Sequence, residues 1–290
     1  MRNFREEILK YFPVNIYKNI NETIKENAKY ENEIEEIRIR VNNPIILKIG
    51  QFEKILEYKV SSNELIQILE KLCENSIYAY KNQMCEGYIT INGGHRVGIV
   101  GSVVIEQEKI VNIKYISSLN FRMAREIIDC SQKVLNQIID IQNLNIFNTI
   151  IVAPPGCGKT TVLRDVIRKI SNGIPEISFK GRTIGVVDER GEIAAMYKGV
   201  PQNDIGIRTD VIENISKSKG MKILLRSMTP QIIACDEIGT SEDVKAIKEI
   251  LTCGVKGIFT MHGRTIEDIR NKRELYDLVQ NRQIEKIVFL

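Results

Sequence analysis

The sequence contains no long apolar run. Its longest stretch without a charge, residues 141 to 158, is broken by Asn, Gln, Pro and Gly, so it does not read as a membrane span. The first residues, Met1-Arg2-Asn3-Phe4-Arg5-Glu6-Glu7, are charged and lead into no signal-peptide core. The six cysteines (Cys73, Cys85, Cys130, Cys157, Cys235 and Cys253) include no C-x-x-C pair. That spacing argues against a metal site or a disulfide framework and for reduced thiols in a cytoplasmic protein. No basic stripe is present either. The net charge is only +4, with acids and bases interspersed, so nucleic acid is not an expected partner.

The most informative stretch is Ile150-Ile151-Val152-Ala153-Pro154-Pro155-Gly156-Cys157-Gly158-Lys159-Thr160-Thr161. A β-branched run ends in a Pro/Gly turn, then Gly-Lys-Thr opens a helical pattern. This is the layout of a P-loop, in which backbone N–H groups and a helix N-terminus surround nucleotide phosphates. Pro155, Gly156, Cys157, Gly158, Lys159, Thr160 and Thr161 are the expected ATP-binding residues. Lys159 is expected on the β- and γ-phosphates and Thr160 on Mg²⁺. The first motif position is Ala153 rather than Gly, so the match is to a relaxed form.

Upstream of the loop the pattern is mixed. Residues 1 to 30 read as helical, broken by Pro13. Ile37, Ile39 and Val41 alternate with charges as a half-buried strand, and 45–49 form a second. Ser61-x-x-Glu64 is a capping box before a helix reaching about Asn75. Strands are predicted at 88–91, 97–105, 110–116 and around 119–123, then a helix at 131–141. Residues 1–130 therefore read as an α+β domain with a mostly antiparallel sheet.

From 131 to 290 apolar strands alternate with helices. The strands are expected at 150–153, 183–188, 230–235, 257–261 and 285–290, and the helices at 159–170, 217–228, 242–251 and 265–273. That alternation indicates an α/β domain with a mostly parallel sheet. Ligands of such sheets gather at the carboxyl ends of the strands. Four motifs fall there: the P-loop, Asp188-Glu189, Asp236-Glu237 and His262.

Ile232-Ile233-Ala234-Cys235-Asp236-Glu237 has the form of a Walker B strand. Asp236 is expected to hold Mg²⁺ and Glu237 to orient and deprotonate the attacking water. Strand alternation would point the two carboxylates to opposite sides. Glu189 is a candidate for the same metal and water network, and His262 for sensing the γ-phosphate. Arg96, Arg208 and Arg226 are candidates for an arginine finger.

These motifs together resemble the secretion-type ring ATPases, which carry a Walker A loop, an acidic box, a Walker B strand and a histidine box. Here the boxes fall at 153–160, 188–189, 232–237 and Thr260-Met261-His262-Gly263. Within that superfamily the stage III sporulation AA family is the closer likeness. Several segments carry it: residues 87–98 (GYITINGGHRVG), 186–190 (VVDER), 206–211 (GIRTDV), 223–228 (ILLRSM) and 236–239 (DEIG). Gly191 stands where that pattern leads one to expect Ser, and further residues are expected after Leu290. The resemblance implies a RecA-like ATPase domain behind a smaller N-terminal domain, assembled as a hexameric ring. Arginines such as Arg96 would complete the site. It also implies peripheral docking, from the cytoplasm of the mother cell, on membrane-embedded channel proteins of the developing spore. The competing expectation is a RecA-like nucleic-acid-dependent ATPase or helicase. A scaffold that binds ATP without cycling it is disfavoured by intact Lys159, Thr160, Asp236 and Glu237.

Overall fold

The computed structural model describes residues 4–27 and 29–290. The chain folds as two compact units. The first comprises residues up to Arg125 together with Tyr197–Gln202; the second comprises Glu126–Met196 and Asn203–Leu290.

The first unit is built on a six-stranded antiparallel sheet. Its strands are β1 (Ile34–Arg40), β2 (Pro44–Ile49), β3 (Phe52–Lys59), β4 (Tyr88–Thr90), β5 (Arg96–Glu106) and β6 (Lys109–Arg122), in the order β3-β2-β1-β6-β5-β4. Alternation in β1 and β2 sends Ile37, Ile39, Ile45 and Leu47 inward. Two helices cover that face. Helix α1 (Val14–Glu26) starts at Pro13 and buries Ile16, Ile20 and Ile24 at helical spacing. Helix α2 (Ser62–Leu72) has the predicted capping box, with Ser61 and Glu64 each satisfying the other's backbone N–H. Phe12 packs its ring on Phe121 of β6, with centroids 4.8 Å apart.

Two features differ from the sequence expectation. Residues 110–116 and 119–123 belong to one strand, β6, whose irregularities against β5 blur its period. Strand β3 was not expected, because it is an edge strand that buries only Leu56 and therefore shows little hydrophobic alternation.

The second unit holds six parallel strands. They are β7 (Thr149–Ala153), β8 (Ile184–Asp188), β9 (Thr209–Glu213), β10 (Ile232–Cys235), β11 (Lys256–His262) and β12 (Lys286–Phe289), in the order β9-β8-β10-β11-β7-β12. Strands β7, β8 and β10 are buried along their whole length, as expected of a sheet covered on both faces. One face packs α3 (Gln132–Ile138) and α4 (Lys159–Asn172) through Leu135, Ile138, Leu163, Val166 and Ile170. The other packs α5 (Lys217–Ser227), α6 (Ser241–Thr252) and α7 (Arg273–Gln280) through Met221, Leu224, Ile247, Ile250, Leu275 and Leu278. Helix α5 lies so close to β8 that a methyl group on Gly220 would come within 2.5 Å of Val187 Cγ1. The architecture is α/β, with a RecA-like P-loop fold in the second unit. Among the described residues, no helix is long and apolar enough to cross a membrane.

Candidate functional site

Strands β8, β10, β11 and β7 are consecutive neighbours, so the four motifs at their carboxyl ends fall in one line. The loop after β7 bends through Gly156 and Gly158, with φ of 77° and 74°. Both lie in the left-handed region that glycine enters without steric cost. Apart from the glycine and its immediate chain neighbours, no atom lies within 4 Å of where a Cβ would stand at either position, so the loop leaves open space over its backbone. Helix α4 then begins at Lys159 and points its N-terminus at that space. Ala153, at the relaxed motif position, is buried at the end of β7.

Lys159 is 5% exposed. Its ammonium donates to Pro154 O at 3.2 Å and to His262 Nδ1 at 2.9 Å. An ammonium only donates, so Nδ1 accepts and Nε2 carries the proton. His262 Nε2 then donates to Glu237 Oε1 at 2.8 Å. The second carboxylate oxygen, Oε2, accepts from Arg190 Nη1 at 2.6 Å. A continuous chain therefore runs Lys159–His262–Glu237–Arg190.

Beside this chain, the Thr160 hydroxyl donates to Asp236 Oδ2. Thr260, fully buried in β11, donates to Asp236 Oδ1 and accepts the Glu237 N–H at 2.9 Å. One hydroxyl thus holds the Asp236 carboxylate and the Glu237 backbone. The two acids separate because Glu237, just past the end of β10, turns into the left-handed region at φ 53°. Alternation along the strand, expected from the sequence, is not the cause. Left-handed backbone at a non-glycine residue is disfavoured and persists only where neighbours hold it.

A hydroxyl and a single carboxylate are suited to Mg²⁺. That ion takes oxygen ligands, keeps several waters and is completed by phosphate oxygens. Thr160 and Asp236 would hold it, and it would supply positive charge to the phosphates of a bound nucleotide.

The acidic pair after β8 divides differently. Asp188, 2% exposed, accepts the backbone N–H groups of Glu192, Ile193 and Ala194 on its two oxygens at 2.8–3.2 Å. It pins the following loop. Burial, and secondarily the Asp188 charge, raise the pKa of the Glu213 carboxyl, which pairs with Asp188 in register on β9. Glu189 is ion-paired to Lys217 at the start of α5. Both line a small cleft with Arg190, Asp236 and Glu237.

Two of the candidate arginines lie away from the site within the second unit. Arg208 donates to Ser171 O at 2.8 Å and caps the far end of α4. A helix of 14 residues puts that end about 20 Å from Lys159. Arg226 is exposed at the end of α5. Arg96 belongs to the first unit, where its guanidinium lies 4.8 Å from the Tyr88 ring centroid. His95 is also there, buried at 4% exposure, accepting from Ala124 N and bonding Glu7 through Nε2. Lys217 was not singled out from the sequence, and Thr260 and Arg190 entered only as members of the segments 260–263 and 186–190, with no role given to them. Thr260 had one usable signal, a polar residue inside an otherwise apolar strand.

Comparison with known proteins agrees with this fold. In fold the chain is similar to the pilus retraction motor PilT solved with ADP, at TM-score 0.57 and 17% identity, covering 87% of this chain and 70% of that one. It is similar likewise to the ATPase DotB of Legionella pneumophila, at TM-score 0.54 and 16% identity, over 87% of this chain and 68% of that one. In sequence it is 37% identical over 259 residues to stage III sporulation protein AA of Bacillus subtilis (strain 168), covering 89% of this chain and 82% of the relative. The family model described as "Sporulation stage III, protein AA" matches residues 2–290, so the chain belongs to that family.

Proposed function

We propose that the chain is a Mg²⁺-dependent ATPase that acts as a motor for a sporulation transport complex. One observation carries the reading. The loop residues Lys159 and Thr160 are both hydrogen-bonded into the two acids, Lys159 to Glu237 by two bonds through His262 and Thr160 directly to Asp236. Binding and hydrolytic groups thus form one network rather than two neighbouring features. In the step this supports, a water oxygen bonds to the γ-phosphorus and its proton passes to Glu237. The bond from phosphorus to the bridging oxygen breaks, and ADP leaves with its electron pair. Lys159 binds the phosphates, and His262 ties its position to that of the base.

The resemblance to ring motors supports assembly of a hexamer. Family membership supports work with membrane-embedded partners at the cytosolic face of the mother-cell membrane. The loop proposed for ATP comprises Pro155 to Thr161.

Two variants test the chemistry. Glu237→Gln is expected to keep ATP binding while lowering kcat by about 10² to 10⁴, the usual contribution of a general base. Lys159→Ala is expected to weaken binding itself. Equilibrium binding of a fluorescent ATP analogue and phosphate release separate the two effects. Turnover by Glu237→Gln at the unchanged rate would remove Glu237 from its role. Solution mass of the Glu237→Gln form with ATP and Mg²⁺ tests the ring, which predicts a hexamer. A monomer at every protein concentration counts against it.

A further inference from the structure

The Glu237 carboxylate is gripped on both oxygens, by His262 at 2.8 Å and Arg190 at 2.6 Å. The terminal torsion of a glutamate is broad and about two-fold, so one hydrogen bond leaves the carboxylate plane able to swing. Donors on both oxygens fix the plane. One donor, His262, is held by Lys159. The other is held by the loop after β8. There Asp188 ties down the amides of residues 192–194 on one side of Arg190, and the Glu189–Lys217 pair anchors the residue before it. Arg190 is therefore presented to Glu237 from a loop fastened on both flanks.

The side chain of Arg190 is 65% exposed and that of Glu237 20% exposed. An ion pair this open adds little to stability, so its consequence is geometric.

Resting on the ATPase reading above, we propose that Arg190 is a positioning residue that holds the Glu237 carboxylate in the orientation at which it takes the proton of the attacking water. It acts through Glu237 and not by touching phosphate. The reaction balance is the one given above, with the water proton passing to the carboxylate that Arg190 orients.

The test is a double-mutant cycle on the full chain. It comprises the unchanged protein, Arg190→Ala, Arg190→Lys, Glu237→Gln and the Arg190→Ala/Glu237→Gln double variant. Each is assayed for single-turnover ATP hydrolysis and for equilibrium binding of a fluorescent ATP analogue. Arg190→Ala is expected to lower the hydrolysis rate by about 10²-fold, the scale of a misplaced reacting group, with affinity for the analogue retained. Arg190→Lys, which restores a donor to Oε2 but not the planar fork, recovers part of the rate. In the Glu237→Gln background, removing Arg190 has no further effect, because residues acting as one unit are non-additive. An equal loss in both backgrounds means that Arg190 acts directly on the phosphate, and overturns the proposal while leaving the ATPase reading intact. Loss of affinity as large as the loss of rate overturns it as well. No turnover by the unchanged protein, with analogue bound, overturns the ATPase reading and this proposal with it.

Discussion

Cys157 stands exposed between the two left-handed glycines of the loop, on the surface where phosphate is proposed to bind. Cys253 is also exposed, whereas Cys73 and Cys235 are buried. Burial pushes the Cys73 thiol up to about 11, and that of Cys235, inside β10, higher still. A thiolate is the reactive form, so those two are inert at neutral pH. A maleimide should therefore label Cys157 and Cys253, and labelling of Cys157 should abolish nucleotide binding. ATP with Mg²⁺ should protect Cys157 and leave Cys253 open. Peptide mass mapping reads both sites, and equal labelling of Cys157 with and without ATP counts against the proposed loop. At this scale the sequence displayed residues whose neighbours form a pattern: Lys159 and Thr160 after paired glycines, and Asp236 and Glu237 after an apolar strand. Thr260 and Arg190 were not displayed, because their roles come from strand adjacency and loop anchoring. Along the chain Thr260 shows only as a polar residue inside an apolar strand, and Arg190 only as a member of the segment 186–190.

Among the elements, α4 carries the loop at one end and a buried ionic anchor in its middle. Asp165, 2% exposed as a side chain, accepts from the Ser131 N–H at 2.9 Å, the Ser131 hydroxyl at 2.6 Å, and Arg168 Nη2 at 2.6 Å. Burial alone would raise its pKa. Ser131 and the Arg168 guanidinium outweigh that and hold the carboxyl below its usual range. Asp165→Ala would leave the buried Ser131 amide unpaired and Arg168 with Asp129, 2.9 Å away, as its remaining ion-pair partner. The expected loss is about 1 to 3 kcal/mol, the usual cost of a buried donor left without its acceptor. Urea denaturation measures it, and a loss under about 1 kcal/mol, as for an exposed pair, would show the anchor to be incidental. The parallel strands of this unit were legible because burial on both faces makes them continuous apolar runs. Strand β9 was not, since its burial is only partial and Asp210 and Glu213 interrupt it. The helix expected at 265–273 covers the short helix at 266–270 and stops where α7 begins, so α7 itself, which buries only Leu275 and Leu278, was not legible.

At the scale of the whole molecule, the chain passes between its two units after Arg125, after Met196 and after Gln202. The excursion 197–202 was not legible, because a short loop segment carries no period and its anchors are distant in sequence. Within the first unit those anchors are specific. The Tyr197 hydroxyl donates to Glu74 Oε1 and Lys198 Nζ to Glu74 Oε2, both at 2.6 Å, and the Gly93 N–H donates to Gln202 Oε1 at 2.8 Å. Around Glu74 the tyrosines resist ionisation. Burial first, then Tyr80 and Glu74, push Tyr11 up to about 12. Burial, then the bond to Glu74, raise Tyr197, and burial with the Glu74 charge raises Tyr80. In the unfolded chain these phenols titrate near about 10. Above that pH the unfolded state releases protons that the folded state keeps, so stability falls as pH rises. The contribution is whole below about 10 and is lost as pH climbs through the folded values, about 12 for Tyr11. Ionised Tyr11 and Tyr80 would also face the Glu74 carboxylate as like charges, which loosens its hold on the strap of residues 197–202. Limited proteolysis across this range should therefore cut 197–202 at alkaline pH and spare it near neutrality, in step with the rise of tyrosinate absorbance. Tyr197→Phe, which cannot ionise or donate to Glu74, should make cleavage easier near neutrality and less dependent on pH. A strap cut at the same rate at both ends of the range in the unchanged protein would show that Glu74 does not hold it.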